Sequence, residues 1–256
     1  MINIPESRIE AVISDLASYL LTREVSMKTH ASSETFFSKS GEVIADSLLR
    51  VQMASYVGQL FNLSPENAEE LSSKQSLDSW ASFVLQSLSI SSSKNDNQQF
   101  TFMTSGTTSV PKRISHNIEG LILEATHWAE TFDIAEIYSF VPSHHIYGFI
   151  WTVLLPSIKD IPVINAKGRI PSGVVTCDQS GLIVAVPDQC PMLMTLSDKH
   201  QSLCDLVLST APCSDSLLSE LNNQKWRSVS VIYGSTETGA VGIKQHAHTP
   251  FKLLPF

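Results

Sequence analysis

Residues 104–112 read Thr-Ser-Gly-Thr-Thr-Ser-Val-Pro-Lys and are entered from the apolar run Gln99–Met103. Small, hydroxylated side chains, a central Gly106 and a closing Lys112 are what a polyphosphate-wrapping loop requires. Backbone N–H groups and hydroxyls donate to phosphate oxygens, glycine allows close approach, and the ammonium offsets charge. Taken alone, a Ser/Thr-rich loop is also an ordinary solvated turn. The G-x-x-x-x-G-K-[ST] phosphate loop does not fit. Counted from Gly106, Pro111 stands at the second glycine and Arg113 at the magnesium-binding hydroxyl.

Three later blocks carry further chemistry. Residues 141–148 read Val-Pro-Ser-His-His-Ile-Tyr-Gly, 209–212 read Ser-Thr-Ala-Pro, and 232–239 read Ile-Tyr-Gly-Ser-Thr-Glu-Thr-Gly. In this order, behind the hydroxyl-rich loop, they resemble the adenylate-forming superfamily: acyl- and aryl-CoA synthetases, adenylation domains of peptide synthetases, and luciferases. The resemblance spans about residues 99–245. Ser109 departs from it, occupying a position the family pattern gives to glycine.

The resemblance implies ATP, Mg2+ and a carboxylic acid as ligands, with coenzyme A or the phosphopantetheine of an acyl carrier protein as the accepting thiol. It assigns Thr104, Ser105, Gly106, Thr107, Thr108 and Lys112 to the phosphates. Tyr233 and Gly234 fall beside adenine, Thr236 at the α-phosphate, and Glu237 at the metal. Thr210, Ala211 and Pro212, after Ser209, correspond to backbone lying along adenine. His145 corresponds to the histidine of an H-x-x-G element bordering the path of the carboxylate; a polar core histidine held by a carbonyl would look the same. His144 is expected to point the other way. Tyr147, Gly148, Phe149 and Trp151 read as pocket wall or as helix core. Lys112, His145 and Glu237 are the catalytic candidates.

The family continues past the Tyr-Gly-Ser-Thr-Glu block with a ribose-binding aspartate, a hinge arginine and a small C-terminal domain bearing a lysine. This sequence ends at residue 256, 19 residues after Glu237. The expectation is a partial core, truncated or needing a missing C-terminal domain or partner chain, with weak or no activity by itself. A non-catalytic nucleotide-binding or interaction module is the alternative. A minor alternative makes the N-terminal part an acyl carrier, because Asp46-Ser47-Leu48 opens an apolar helix.

The elements that must position these blocks follow from pattern. Residues 1–90 read as helices at Glu6–Leu21, Ala45–Phe61, from Pro65, and Asp78–Leu88. Residues 91–98 read as a polar linker. From Gln99 to the end at 256, strands alternate with helices. Strands are predicted at Gln99–Met103, Ile137–Val141, Ile161–Ile164, Leu182–Val186, Asp205–Leu208 and Val229–Tyr233. Helices are predicted at His116–Thr131, Ile146–Leu155, Gln189–Leu196 and Ser214–Leu221. The fold class is therefore α/β, a largely parallel sheet flanked by helices and preceded by a helical segment. Each block follows a strand, so the four are expected to converge at the carboxyl ends of one sheet.

Composition bounds the rest. The 256 residues are 43% hydrophobic and 16% charged, as in ordinary globular chains. A net charge of −8 argues against nucleic acid or an anionic membrane as partner. No apolar run reaches membrane-spanning length. Cys177, Cys190, Cys204 and Cys213 form no C-x-x-C pair, so free thiols in a cytoplasmic setting are expected.

Overall fold

The computed structural model describes residues 3–27, 35–92, 98–104, 112–176 and 178–256. They divide into two compact units, residues 3–120 and 121–256.

The first unit is helical with one hairpin. Its helices are α1 (Glu6–Met27), α2 (Ser47–Leu60), α3 (Pro65–Ser72) and α4 (Leu77–Ser92). Asp46 caps α2 by accepting the Leu49 N–H at 2.8 Å, and Ser64 caps α3 ahead of Pro65 at its first position. Ile9, Val12, Ile13, Met53, Val57, Trp80 and Val84 recur at helical spacing and are fully buried. Arg50 crosses from α2 to the end of α3, donating to the carbonyls of Ser72 and Lys74 at 3.2 and 3.0 Å.

β1 (Gln99–Met103) and β2 (Arg113–Asn117) also belong to this unit and form an antiparallel pair. The expectation that Gln99–Met103 opens the parallel sheet is thus corrected. Its residues alternate, with Phe100 and Phe102 buried and Thr101 facing Ser115 hydroxyl to hydroxyl at 2.8 Å. That two-residue period marks a half-buried antiparallel strand rather than a parallel strand covered on both faces. Arg113–Asn117 is strand where helix was expected to begin at His116, and α5 (Ile118–Thr131) starts after it.

The second unit holds the seven-stranded sheet. In chain order its elements are β3 (Glu136–Ser139), α6 (Ile146–Phe149), a π-helical turn Ile150–Leu154, α7 (Leu155–Lys159), β4 (Val163–Asn165), β5 (Gly181–Ala185), α8 (Cys190–Leu193), α9 (Asp198–Leu203), β6 (Cys204–Leu208), α10 (Asp215–Asn222), β7 (Ser228–Ser235), β8 (Gly239–Lys244) and β9 (Lys252–Leu253). The sheet order is β4-β3-β5-β6-β7-β8-β9. The β4/β3, β3/β5, β5/β6 and β6/β7 pairs are parallel, and β7/β8 and β8/β9 are antiparallel. The α/β class is as read from the pattern. β5 and β6 are buried along their whole length, as central strands covered by helices on both faces must be. One face packs Ile183, Leu206, Leu208, Leu218 and Trp226 together. A second group stacks Trp128 of α5 on Trp151, ring centroids 5.0 Å apart, with Phe132 edge-on at 5.6 Å to Trp151.

At the start of β6 and β7, far along the strands from their carboxyl ends, buried Asp205 accepts from Arg227 Nε at 3.0 Å and Ser228 Oγ at 2.8 Å. This pair secures the strand entrance. It is structural chemistry that composition did not reveal.

Candidate active site at the carboxyl ends of the parallel strands

Three of the four blocks lie at one edge of the second unit's sheet. The 141–148 block follows β3, 209–212 follows β6, and 232–239 contains the end of β7. Because these strands run parallel, their carboxyl ends share that edge.

Hydrogen bonds tie the blocks together. Ser209 Oγ, buried, donates to the Ile232 carbonyl at 3.0 Å and links the second block to the third. The Tyr147 hydroxyl, buried on α6, gives its one hydrogen to the Val207 carbonyl at 2.9 Å, with the Ala185 carbonyl at 3.2 Å. The first block is thereby held against the ends of β5 and β6, and burial drives the Tyr147 phenol well above its ordinary pKa. Gln189 performs the same service one layer away: its Nε2 donates to the Phe140 carbonyl and its Oε1 accepts the Val186 N–H, both at 3.0 Å. Tyr147, expected as pocket wall or helix core, is a strut between strand ends. Phe149 and Trp151 are core.

The spacing His145-x-x-Gly148 has a steric reason. A Cβ on Gly148 would sit 2.0 Å from the Pro142 carbonyl oxygen. Only glycine lets α6 start that close to the chain leaving β3. His145 occupies the N-cap position of α6 and is half-buried. His144 does not turn away from it; the rings lie side by side, centroids 4.2 Å apart. Burial, then the neighbouring His145 and Lys167 charges, lowers the His144 pKa from 6.5 to about 3, so it stays neutral.

The third block is a hairpin tip. β7 does not end at Tyr233 as expected but continues to Ser235, turns through Thr236-Glu237-Thr238 and returns as β8. The register slips at Tyr233/Gly234, where a Cβ on Gly234 would meet the Gly239 oxygen at 2.2 Å. The turn is closed by Ser235 and Thr238: the Glu237 N–H donates to Ser235 Oγ and the Ser235 N–H to Thr238 Oγ1, each at 3.2 Å. Glu237 is exposed and Thr236 half-exposed. Tyr233 is 61% exposed, with its ring 5.5 Å from Phe251. An exposed aromatic supported by another ring suits a stacking platform. β8 escaped the sequence reading because Gly239-Ala-Val-Gly-Ile is glycine-rich and weakly strand-like.

Thr210 lies at φ +73°, the left-handed region that a β-branched residue enters at a cost of about 1–3 kcal/mol. It is exposed, as is Pro212, with Ala211 half-exposed. Strained backbone of this kind clusters at active sites and ligand clamps in proteins generally.

In the first unit, Thr104 and Lys112 face each other across the end of β1 and the start of β2. The Thr104 N–H donates to the Lys112 carbonyl at 2.9 Å and the Lys112 N–H to Thr104 Oγ1 at 3.0 Å. Lys112 is exposed. Ser105, Gly106, Thr107, Thr108 and Ser109 lie outside the described residues.

Among the described residues no group of three or more His, Cys, Asp or Glu could cage a metal. A single exposed carboxylate beside a hydroxyl fits a magnesium that draws its remaining ligands from phosphate and water. Among the described residues no helix is long and apolar enough to cross a membrane.

The second unit is thus an α/β sheet that gathers three of the motif blocks at the carboxyl ends of its parallel strands. The chain belongs to the AMP-binding enzyme family, whose model matches residues 3–253. It is 30% identical over 225 residues to the 4-coumarate–CoA ligase of Cereibacter sphaeroides, covering 82% of this chain and 52% of that one. The 4-coumarate–CoA ligase of Rhodobacter capsulatus is 28% identical over 218 residues, covering 82% of this chain and 56% of the relative. The chain thus spans about half the length of these curated relatives. Among solved structures, ATP-bound MatB from Rhodopseudomonas palustris matches with TM-score 0.57 at 11% identity, over 94% of this chain and 56% of that one.

Proposed function

We propose that this chain carries the nucleotide-binding part of an acid–thiol ligase that activates a carboxylic acid as its adenylate. The observation that carries the proposal is the gathering of the His145, Ser209–Pro212 and Tyr233–Glu237 blocks at one strand-end edge.

In the proposed reaction a substrate carboxylate oxygen attacks the α-phosphorus of ATP and pyrophosphate leaves. A thiol sulfur then attacks the acyl carbon and AMP leaves. The thiol is that of coenzyme A, with a carrier-protein phosphopantetheine as the other acceptor of the same chemistry. Lys112 and the hydroxyls of Thr104, Ser105, Thr107 and Thr108 hold the terminal phosphates, Gly106 giving the backbone room. Tyr233, beside Gly234, stacks on adenine, flanked by the Thr210-Ala211-Pro212 backbone. Thr236 donates to the α-phosphate. His145 borders the entering carboxylate. Glu237 would hold Mg2+, which neutralises charge on the phosphates, an effect of several kcal/mol in related chemistry. Most of the acceleration comes from positioning and charge rather than acid–base transfer.

The named relatives make 4-coumarate the first acid to test and coenzyme A the first thiol. Acid-dependent exchange of labelled pyrophosphate into ATP is the direct assay. Exchange with 4-coumarate, lost in Lys112→Ala, supports the reading. Absence of both exchange and nucleotide binding favours the non-catalytic interaction module.

A second reading concerns the first unit. Ser47 is exposed at the first position of α2, directly after its Asp46 cap, in a run of one long helix, α2, the short α3 and then α4. That placement suits an acyl carrier serine. Intact mass after incubation with coenzyme A and a phosphopantetheinyl transferase decides it: a phosphopantetheine adduct abolished by Ser47→Ala supports a carrier role, and an unmodified chain removes it.

A further inference from the structure

Glu124 is a buried carboxyl outside the motif blocks. It projects from α5, is only 6% exposed, and among the described residues no ion pair reaches it. Its two oxygens are spent on two neighbours. Oε2 accepts the Ala240 N–H at 3.2 Å, and Oε1 accepts Trp128 Nε1–H at 3.3 Å. Gly239, at φ +66°, passes so close over the carboxyl that a Cβ there would lie 2.6 Å from Oε2. Gly239 and Ser235 are the paired residues that close the hairpin.

We propose that Glu124 is a positioning residue that fixes the hairpin tip bearing Thr236 and Glu237. The geometry gives it three anchors. Its own helix holds it from below, Trp128 orients the carboxyl, and Trp128 in turn stacks on Trp151, in the helical run that opens at His145. The carboxyl therefore links the return strand of the hairpin to the packing beneath the His145 block. A buried carboxyl costs stability unless its bonds are worth making. Burial raises the Glu124 pKa above the ordinary carboxylate value, and the donors Ala240 N–H and Trp128 Nε1–H offset only part of that rise. A leucine or methionine would fill the same space without that cost, so what an acceptor adds at this position is the backbone it orders. The functional meaning of that order rests on the nucleotide reading proposed above.

Glu124→Met removes the acceptor at nearly constant volume, and Glu124→Gln keeps one oxygen for Ala240. Hydrogen exchange of the Ala240 amide should quicken at least tenfold in Glu124→Met and stay near wild type in Glu124→Gln. In Glu124→Gln the Ala240 amide proton should also move upfield, since a neutral acceptor bonds more weakly than a carboxylate. That signature survives if Glu124→Met does not fold. Mg·ATP affinity, by titration calorimetry, should fall at least tenfold in Glu124→Met and be rescued by Glu124→Gln. Unchanged Ala240 exchange and unchanged amide shift across the variants would overturn the proposal. If the hairpin loosens as stated but wild type takes up no Mg·ATP, the positioning role stands and the nucleotide reading falls.

Discussion

The Ser209 hydroxyl donates to the Ile232 carbonyl at 3.0 Å, and that bond joins two blocks 23 residues apart in sequence at the ends of neighbouring parallel strands. β6 and β7 are already paired from Asp205 to Leu208, so the bond extends their association beyond the last ladder position. Ser209→Ala should cost about 1–2 kcal/mol, since it leaves a buried carbonyl without its donor. Denaturant unfolding measures the cost. Mg·ATP affinity should weaken along with it, whereas a purely local effect would lower stability alone.

Two glycine substitutions should act in opposite directions. Gly148→Ala forces a methyl to within 2.0 Å of the Pro142 oxygen and should destabilise by about 3 kcal/mol or more. Gly120→Ala meets nothing within 4 Å on an exposed turn of α5 and should stabilise by up to about 1 kcal/mol. Thermal unfolding of the two variants checks both signs.

Thr210→Gly should raise stability by about 1 kcal/mol by releasing the strain at φ +73°. At an unstrained position the same change would lower stability through added chain entropy. On the nucleotide reading proposed above, the variant should also bind nucleotide more weakly, because glycine leaves the strand end free to take several shapes.

Acid stability should carry the mark of His144. Its folded pKa is lowered from 6.5 to about 3, so between those values the unfolded chain binds a proton that the folded chain refuses. Stability then falls as pH drops below 6.5, by up to about 1.4 kcal/mol per unit, and levels off near 3. His144→Gln removes the proton and should flatten that slope in unfolding curves taken from pH 7 down. His145 and Lys167, the charges facing His144, remain in the variant.

What was legible in the sequence depended on how local its cause was. Helix starts such as Asp46, Ser64-Pro65 and Ser214 were readable because capping uses neighbours only. β5 and β6 were readable as short apolar runs between turn residues. β1 was found but set in the wrong sheet, since a strand's partners are not written in the strand; the alternation of Phe100 and Phe102 with polar neighbours was the available clue. The site blocks announced themselves by residue type. Their supports did not. Tyr147 reaches carbonyls 38 and 60 residues away, and Glu124 an amide 116 away, and no spacing rule spans such separations.

We propose that Lys112 and Glu237 each contribute to Mg·ATP binding. Titration calorimetry of wild type, Lys112→Ala and Glu237→Ala with ATP, with and without Mg2+, tests it most directly. Wild type should bind, each variant should bind at least tenfold more weakly, and omission of Mg2+ should weaken wild type far more than Glu237→Ala. Equal binding by all three proteins, or none by any, would contradict it.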